Sequence, residues 1–144
     1  MRLVLHLFHP VFVHFAIAFI VSGAALEAYG WACAHEKAKR WGGPLLVVGT
    51  LTLIPVLFSG YVAANTISVP AEAMSTVDAH ERNGWILVAL VVLAQFWKAW
   101  AQGRFEGATR WLYVALLLAI LGCTVYSALL GGELVYFWGV GVGE

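Results

Sequence analysis

Four of the five histidines in this 144-residue chain, His6, His9, His14 and His80, lie where two apolar stretches begin. A neutral imidazole can give one ring nitrogen to a metal while the other donates a hydrogen bond, so histidines gathered at one level point to metal or redox chemistry. Two of them on different helices would hold the iron of a haem b from both sides, an arrangement that leaves no open coordination position and suits electron transfer. The candidate ligands are His14 or His9 from the first helix and His80 from the third. From His9 to His14 a helix rises ~7.5 Å and turns ~140°, so the two rings do not share a face and each needs a partner elsewhere. His14 sits among Val11, Phe12, Val13, Phe15, Ala16 and Ile17, and an ionisable group inside a span is expected to face the bundle interior. Gly60, Gly131 and Gly132 would let a flat cofactor approach the backbone. Arg82 or Tyr136 would meet its propionates, and Asp78 would orient the His80 ring. The same region also allows a transition-metal site built from His9, His14 and His80 with Asp78 or Glu133. Against that reading, helix N-termini carry partial positive charge. His35, in a charged loop, is read as solvated, and His6 as incidental.

The solvent that surrounds these residues follows from composition. The chain is 62% hydrophobic and only 11% charged, with a mean hydropathy of +0.85. Soluble domains are typically ~45–50% apolar and ~25% charged. The net charge is +0, and no basic stripe or tail is present, which excludes nucleic-acid binding through phosphate contacts. No nucleophile–base pair or charged relay points to a hydrolase or transporter, so no enzymatic activity is expected. Cys33 falls in a polar loop and Cys123 deep in an apolar run; at such different depths they cannot form a disulfide.

Four apolar stretches, about 3–30, 44–64, 80–101 and 109–130, each approach the ~20 residues that span a bilayer as a helix. In lipid a helix satisfies its own backbone groups. The expectation is an all-α, four-helix up-down transmembrane bundle forming a single domain, 1–144, with an interfacial tail from 131 to 144. Pro44 is read at the first turn of the second helix, Asp78-Ala-His-Glu81 as a capping box opening the third, and Gly131-Gly132 as the stop of the fourth. Pro55 predicts a kink. The Arg2-led start resembles a signal peptide but lacks a small-residue cleavage site, so it is read as a retained helix. Lys37, Lys39 and Arg40 fall in the first connection and Lys98, Arg104 and Arg110 around the third, whereas only Arg2 and Arg82 lie at the other end. This bias places both termini on the outer side of a bacterial inner membrane. Trp31, Trp41, Trp97, Trp100 and Trp111 agree as an aromatic belt on the cytoplasmic edge, with Trp85 and Trp138 at the opposite one. Glu27 and Gln95, isolated polar groups near the cytoplasmic edge, are read as snorkelling or bonding between helices. No internal repeat is evident.

The segment His9-Pro-Val-Phe-Val-His14-Phe-Ala-Ile-Ala18 and the closing Gly131-Gly-Glu-Leu-Val-Tyr136-Phe-Trp-Gly-Val-Gly-Val142 resemble the terminal motifs of the bacterial membrane family DUF2231. Ser59-Gly60 matches its small-residue motif ending the second helix, and His80-Glu-Arg-Asn-Gly84 its H-x-x-x-G element. Two departures are Ala16, where the family usually has Pro, and Trp85-Ile86, where members often carry a further His. The resemblance implies a four-helix membrane protein and, because members occur beside or fused to respiratory and cytochrome-like proteins, a redox setting. The expected function is therefore a small membrane subunit carrying or contacting haem b within a respiratory or photosynthetic assembly, surrounded by lipid and redox partners. The alternatives are an accessory subunit with no cofactor of its own, or the metal site above.

Overall fold

The computed structural model describes residues 8–142, so Arg2, His6 and the expected helix start near residue 3 lie outside the described residues. Four helices follow one another: α1 (Phe8–Ala32), α2 (Glu36–Thr66), α3 (Met74–Trp100) and α4 (Gly107–Tyr136), with a 3-10 turn (Ala71–Ala73) leading into α3. All four are long and apolar enough to cross a membrane. The distribution of side chains fits lipid as the outer solvent. Large apolar residues such as Phe15, Leu51, Ile54, Phe58, Phe96 and Leu129 face outward, while Gly23, Gly42, Gly49, Ser59, Thr124 and Glu27 are buried. Inside a bilayer, helices gain from close backbone approach and hydrogen bonds rather than from hiding leucines, which lipid solvates equally well.

The helix ends differ from expectation because polar residues continue the helices past the apolar core. α2 begins at Glu36, not Pro44, and Lys37, Lys39 and Arg40 belong to its first turns; Pro44 and Pro55 both lie inside it. His35 caps that helix, accepting from the Ala38 N–H at 3.2 Å. α3 begins at Met74, so Asp78-Ala-His-Glu81 is helix interior rather than a capping box. α4 runs through Gly131-Gly132 to Tyr136. The chain turns only at Gly139 and Gly141, whose φ of 67° and 74° lie in the left-handed region that glycine adopts most readily.

The bundle contains an internal repeat. The burial pattern of hairpin α1–α2 recurs in hairpin α3–α4 at an offset of 71 residues, which pairs His9 with His80 and Gly60 with Gly131. The buried positions Gly42, Gly43, Leu46, Gly49, Leu53 and Ser59 of α2 correspond to Tyr113, Val114, Leu117, Ile120, Thr124 and Leu130 of α4, all buried. Ala16, Ile20 and Gly23 of α1 correspond likewise to Leu87, Val91 and Ala94 of α3. The helix caps His35 and Glu106 obey the same offset. Since α1 and α3 run in the same direction, the repeat is a parallel one about an axis along the bundle.

The two hairpins are packed differently. A Cβ on Gly42 would lie 2.6 Å from the Glu27 backbone nitrogen, and one on Gly49 would lie 2.7 Å from Ile20 Cγ1, so the α1 and α2 backbones touch. Their counterparts in the second hairpin, Tyr113 and Ile120, fill that space with side chains. Gly49→Leu should therefore lower the thermal stability of the detergent-solubilised protein by about 1–3 kcal/mol through overpacking. Gly122→Leu, where a Cβ meets nothing within 4 Å, should change it little.

Candidate functional site

At the end of the bundle that holds the α2–α3 connection, His9 and His80 are brought toward each other from separate hairpins, close enough for charge on one ring to act on the other. His9 Nδ1 lies 3.2 Å from the Val56 carbonyl and 3.1 Å from Ser59 Oγ. The Ser59 hydroxyl is itself donating to the Pro55 carbonyl at 2.6 Å, so it faces His9 as an acceptor. With two acceptors around it, Nδ1 carries the proton and Nε2 keeps its lone pair. His80 faces the carbonyl of Ser127, the counterpart of Val56 in the repeat. Its Nδ1 is buried without a hydrogen bond, a state that is costly unless something else engages the ring.

Gly60 and Gly131 are the seats for these rings. A Cβ on Gly60 would stand 3.0 Å from His9 Cε1, and one on Gly131 would stand 3.3 Å from His80 Cε1. The glycines expected to admit a flat cofactor thus admit the imidazoles first. Gly132 meets only Tyr136.

Other expected members do not join this group. His14 is exposed on α1, turned away from the interior, with Nδ1 engaged by the Pro10 carbonyl of its own helix. Arg82 and Asp78 are exposed, and Tyr136 is 91% exposed. Glu133 is held instead by Thr76 Oγ1 and Trp138 Nε1, each at 3.2 Å. The set His9, His14 and His80 with Asp78 or Glu133 is therefore not assembled, and no group of three potential metal-ligating side chains occurs among the described residues.

A second polar centre lies toward the opposite end, and sequence reasoning underrated it. Glu27 is 0% exposed, yet its carboxylate is fully engaged: Lys98 Nζ donates to Oε1, and the Tyr113 hydroxyl donates to Oε2 at 2.5 Å. Glu27 and Lys98 occupy equivalent positions of the repeat, as His9 and His80 do. Phe105 stacks on Tyr113 with centroids 4.3 Å apart, and Trp31 and Trp97 meet both rings edge-on. Gln95 links α3 to α2 through Thr50 Oγ1 at 2.6 Å, and Asn83 links α3 to α4 through the Cys123 carbonyl at 2.9 Å. Glu27 and Gln95 are thus bonded between helices, not snorkelling. The usable signal was a lone carboxylate in an apolar span, which must find a partner.

The family model of DUF2231, described as predicted membrane protein, matches residues 5–144. The chain belongs to the DUF2231 family. No curated protein and no solved structure matches it significantly. The DUF2231 chain is thus a multi-pass membrane protein with four candidate spans in contact with lipid. Within it, His9, Ser59-Gly60, His80 and Gly131 from the motif segments converge on one centre, while His14 of the first motif faces outward.

Removing one member of the Glu27–Lys98 pair strands the other charge at membrane depth. Lys98→Met should cost about 3 kcal/mol of stability, moderated because Lys98 is partly exposed, and Tyr113→Phe about 1 kcal/mol. The double variant Glu27→Leu with Lys98→Met should be less destabilised than either single one, as steric-trap unfolding in bilayers would measure.

Proposed function

We propose that this protein is a small electron-transfer subunit of the bacterial inner membrane in which His9 and His80 ligate a b-type haem. The observation that carries the reading is the pair itself: two imidazoles at equivalent positions of two hairpins, each seated on a glycine and facing a backbone carbonyl. For His9 the hydrogen bond to the Val56 carbonyl fixes the tautomer and raises the basicity of Nε2, as is typical of metal ligands, while His80 Nδ1 makes no hydrogen bond within the protein. The donor set fits haem better than a bare cation: His9 and His80 would hold an iron whose remaining ligands the haem itself brings, whereas a lone zinc or copper needs a third protein ligand that His14 does not provide.

When bound, the haem would supply one-electron chemistry. The chain's own part is to hold the two rings. Val56 and Ser59 keep the proton on His9 Nδ1, Gly60 and Gly131 admit the imidazoles, and the outward apolar surface excludes water. The lysine and arginine bias supports a cytoplasmic side for the α1–α2 and α3–α4 connections and an outer-leaflet position for the histidine pair. Electrons would then be exchanged with a larger respiratory or photosynthetic assembly, and the chain itself would catalyse no substrate reaction.

Protein purified from haem-replete cells should show a Soret band that shifts on dithionite reduction. His9→Ala or His80→Ala should abolish the low-spin spectrum, and His14→Ala should leave it intact. A folded, colourless preparation, or a spectrum insensitive to His9 and His80, would overturn the assignment.

A further inference from the structure

The end of the bundle remote from His9 and His80 carries a cleft of about 520 Å3 between the start of α2, the end of α3 and the α3–α4 connection. Lys39, Arg40, Lys98 and Arg104 line it together with Trp31 and Phe105. Two acids also reach it: Glu36 pairs with Lys39 at 2.7 Å, and Glu106 is the N-cap residue of α4, bonded to Thr109 through its backbone. Lys98 is neutralised by Glu27. Arg40 and Arg104 have no acidic partner among the described residues, and Arg104 reaches only the Gln102 side-chain oxygen, at 2.6 Å. A second, independent observation concerns Trp31, which is 8% exposed and whose indole N–H is buried with no acceptor. Two guanidinium groups without acidic partners, in a cleft also lined by Trp31 whose buried N–H lacks an acceptor, suit an anion rich in acceptor oxygens.

We propose that this cleft binds the phosphate of an anionic phospholipid headgroup. Its surroundings favour lipid over a soluble anion. Arg104 and Phe105 are shared with an adjoining hollow of about 260 Å3 lined by Trp97, Trp100, Ala101 and Thr109, an aromatic and apolar surface suited to the glycerol and upper acyl region. Trp100 and Trp111 are strongly exposed at this level, as interfacial tryptophans are. Arginines between helices at the headgroup level are a recurrent means of holding anionic lipids. The site depends on neither the haem nor the orientation of the bundle.

The experiment measures lipid retention by native mass spectrometry, with thermal unfolding in nanodiscs of phosphatidylglycerol or phosphatidylcholine. The wild-type protein should retain phosphatidylglycerol selectively and unfold at a higher temperature in it. Arg40→Gln with Arg104→Gln should weaken retention about tenfold, and Trp31→Phe, which keeps the ring but removes the N–H, should weaken it less. Lys37→Gln, exposed one turn away but outside the cleft, should leave retention within about twofold. Equal loss with Lys37→Gln would reduce the effect to general surface charge and overturn the site. Equal retention of phosphatidylcholine would do the same. Displacement of the lipid by millimolar inorganic phosphate would reassign the cleft to a soluble phosphate.

Discussion

A carboxylate that enters a bilayer-spanning bundle must be answered by donors from other helices, and the position of Glu27 imposes much of the architecture. Its two oxygens are met by Lys98 from α3 and Tyr113 from α4, so three of the four helices are fixed around one side chain. The fourth, α2, is held against it by absence of bulk, since Gly42 and Gly43 approach the Glu27 backbone and side chain too closely for any Cβ. Net stabilisation by such a pair over an apolar substitute is small, because desolvation offsets most of the attraction. What the pair provides is registry: a hairpin that slid by one turn would leave both charges unpartnered in the membrane interior.

The same logic operates at the other end, where His9 and His80 come near enough for their charges to interact. Equivalent positions of a two-hairpin repeat come together near its axis, so a residue type placed once in each half arrives at the centre as a pair. In one pair the two halves keep the same residue; in the other they have diverged to opposite charges. Divergence elsewhere is larger. The glycines that bring α1 and α2 into backbone contact are replaced by Tyr113 and Ile120 in the second half, which explains why α1 lies tighter on α2 than α3 does on α4. The widened second half is also what accommodates the Phe105–Tyr113 stack over the buried carboxylate.

Much of this was legible in the residues. Composition and span lengths are enough to require four helices, and among the motif residues His9 lies against Gly60 and His80 against Gly131. His14 was misplaced for a physical reason: in a run apolar all around, periodicity does not distinguish the face turned to lipid from the face turned to protein, and a five-residue step from His9 necessarily puts the two rings on different faces. Helix ends were set too far inward because Lys37, Lys39 and Arg40 read as loop, whereas a helix loses nothing by extending charged turns beyond the hydrocarbon. The repeat left little trace because it preserves burial and size relationships rather than identity: Ser59 corresponds to Leu130, and Leu53 to Thr124. Phe105 could not be singled out among 14% aromatic residues, since only its position over Tyr113 makes it special.

The arrangement stands or falls on whether the Glu27 carboxylate and the Lys98 ammonium meet inside the membrane. Solid-state NMR on protein in bilayers, with 13C on glutamate carboxyls and 15N on lysine side chains in a Lys39→Gln background that removes the surface pair with Glu36, measures this directly. Strong dipolar dephasing corresponding to a separation of about 4 Å or less, abolished by Glu27→Gln, is the predicted result. Absence of dephasing in a folded sample would contradict the register of the two hairpins and, with it, the approach of His9 to His80.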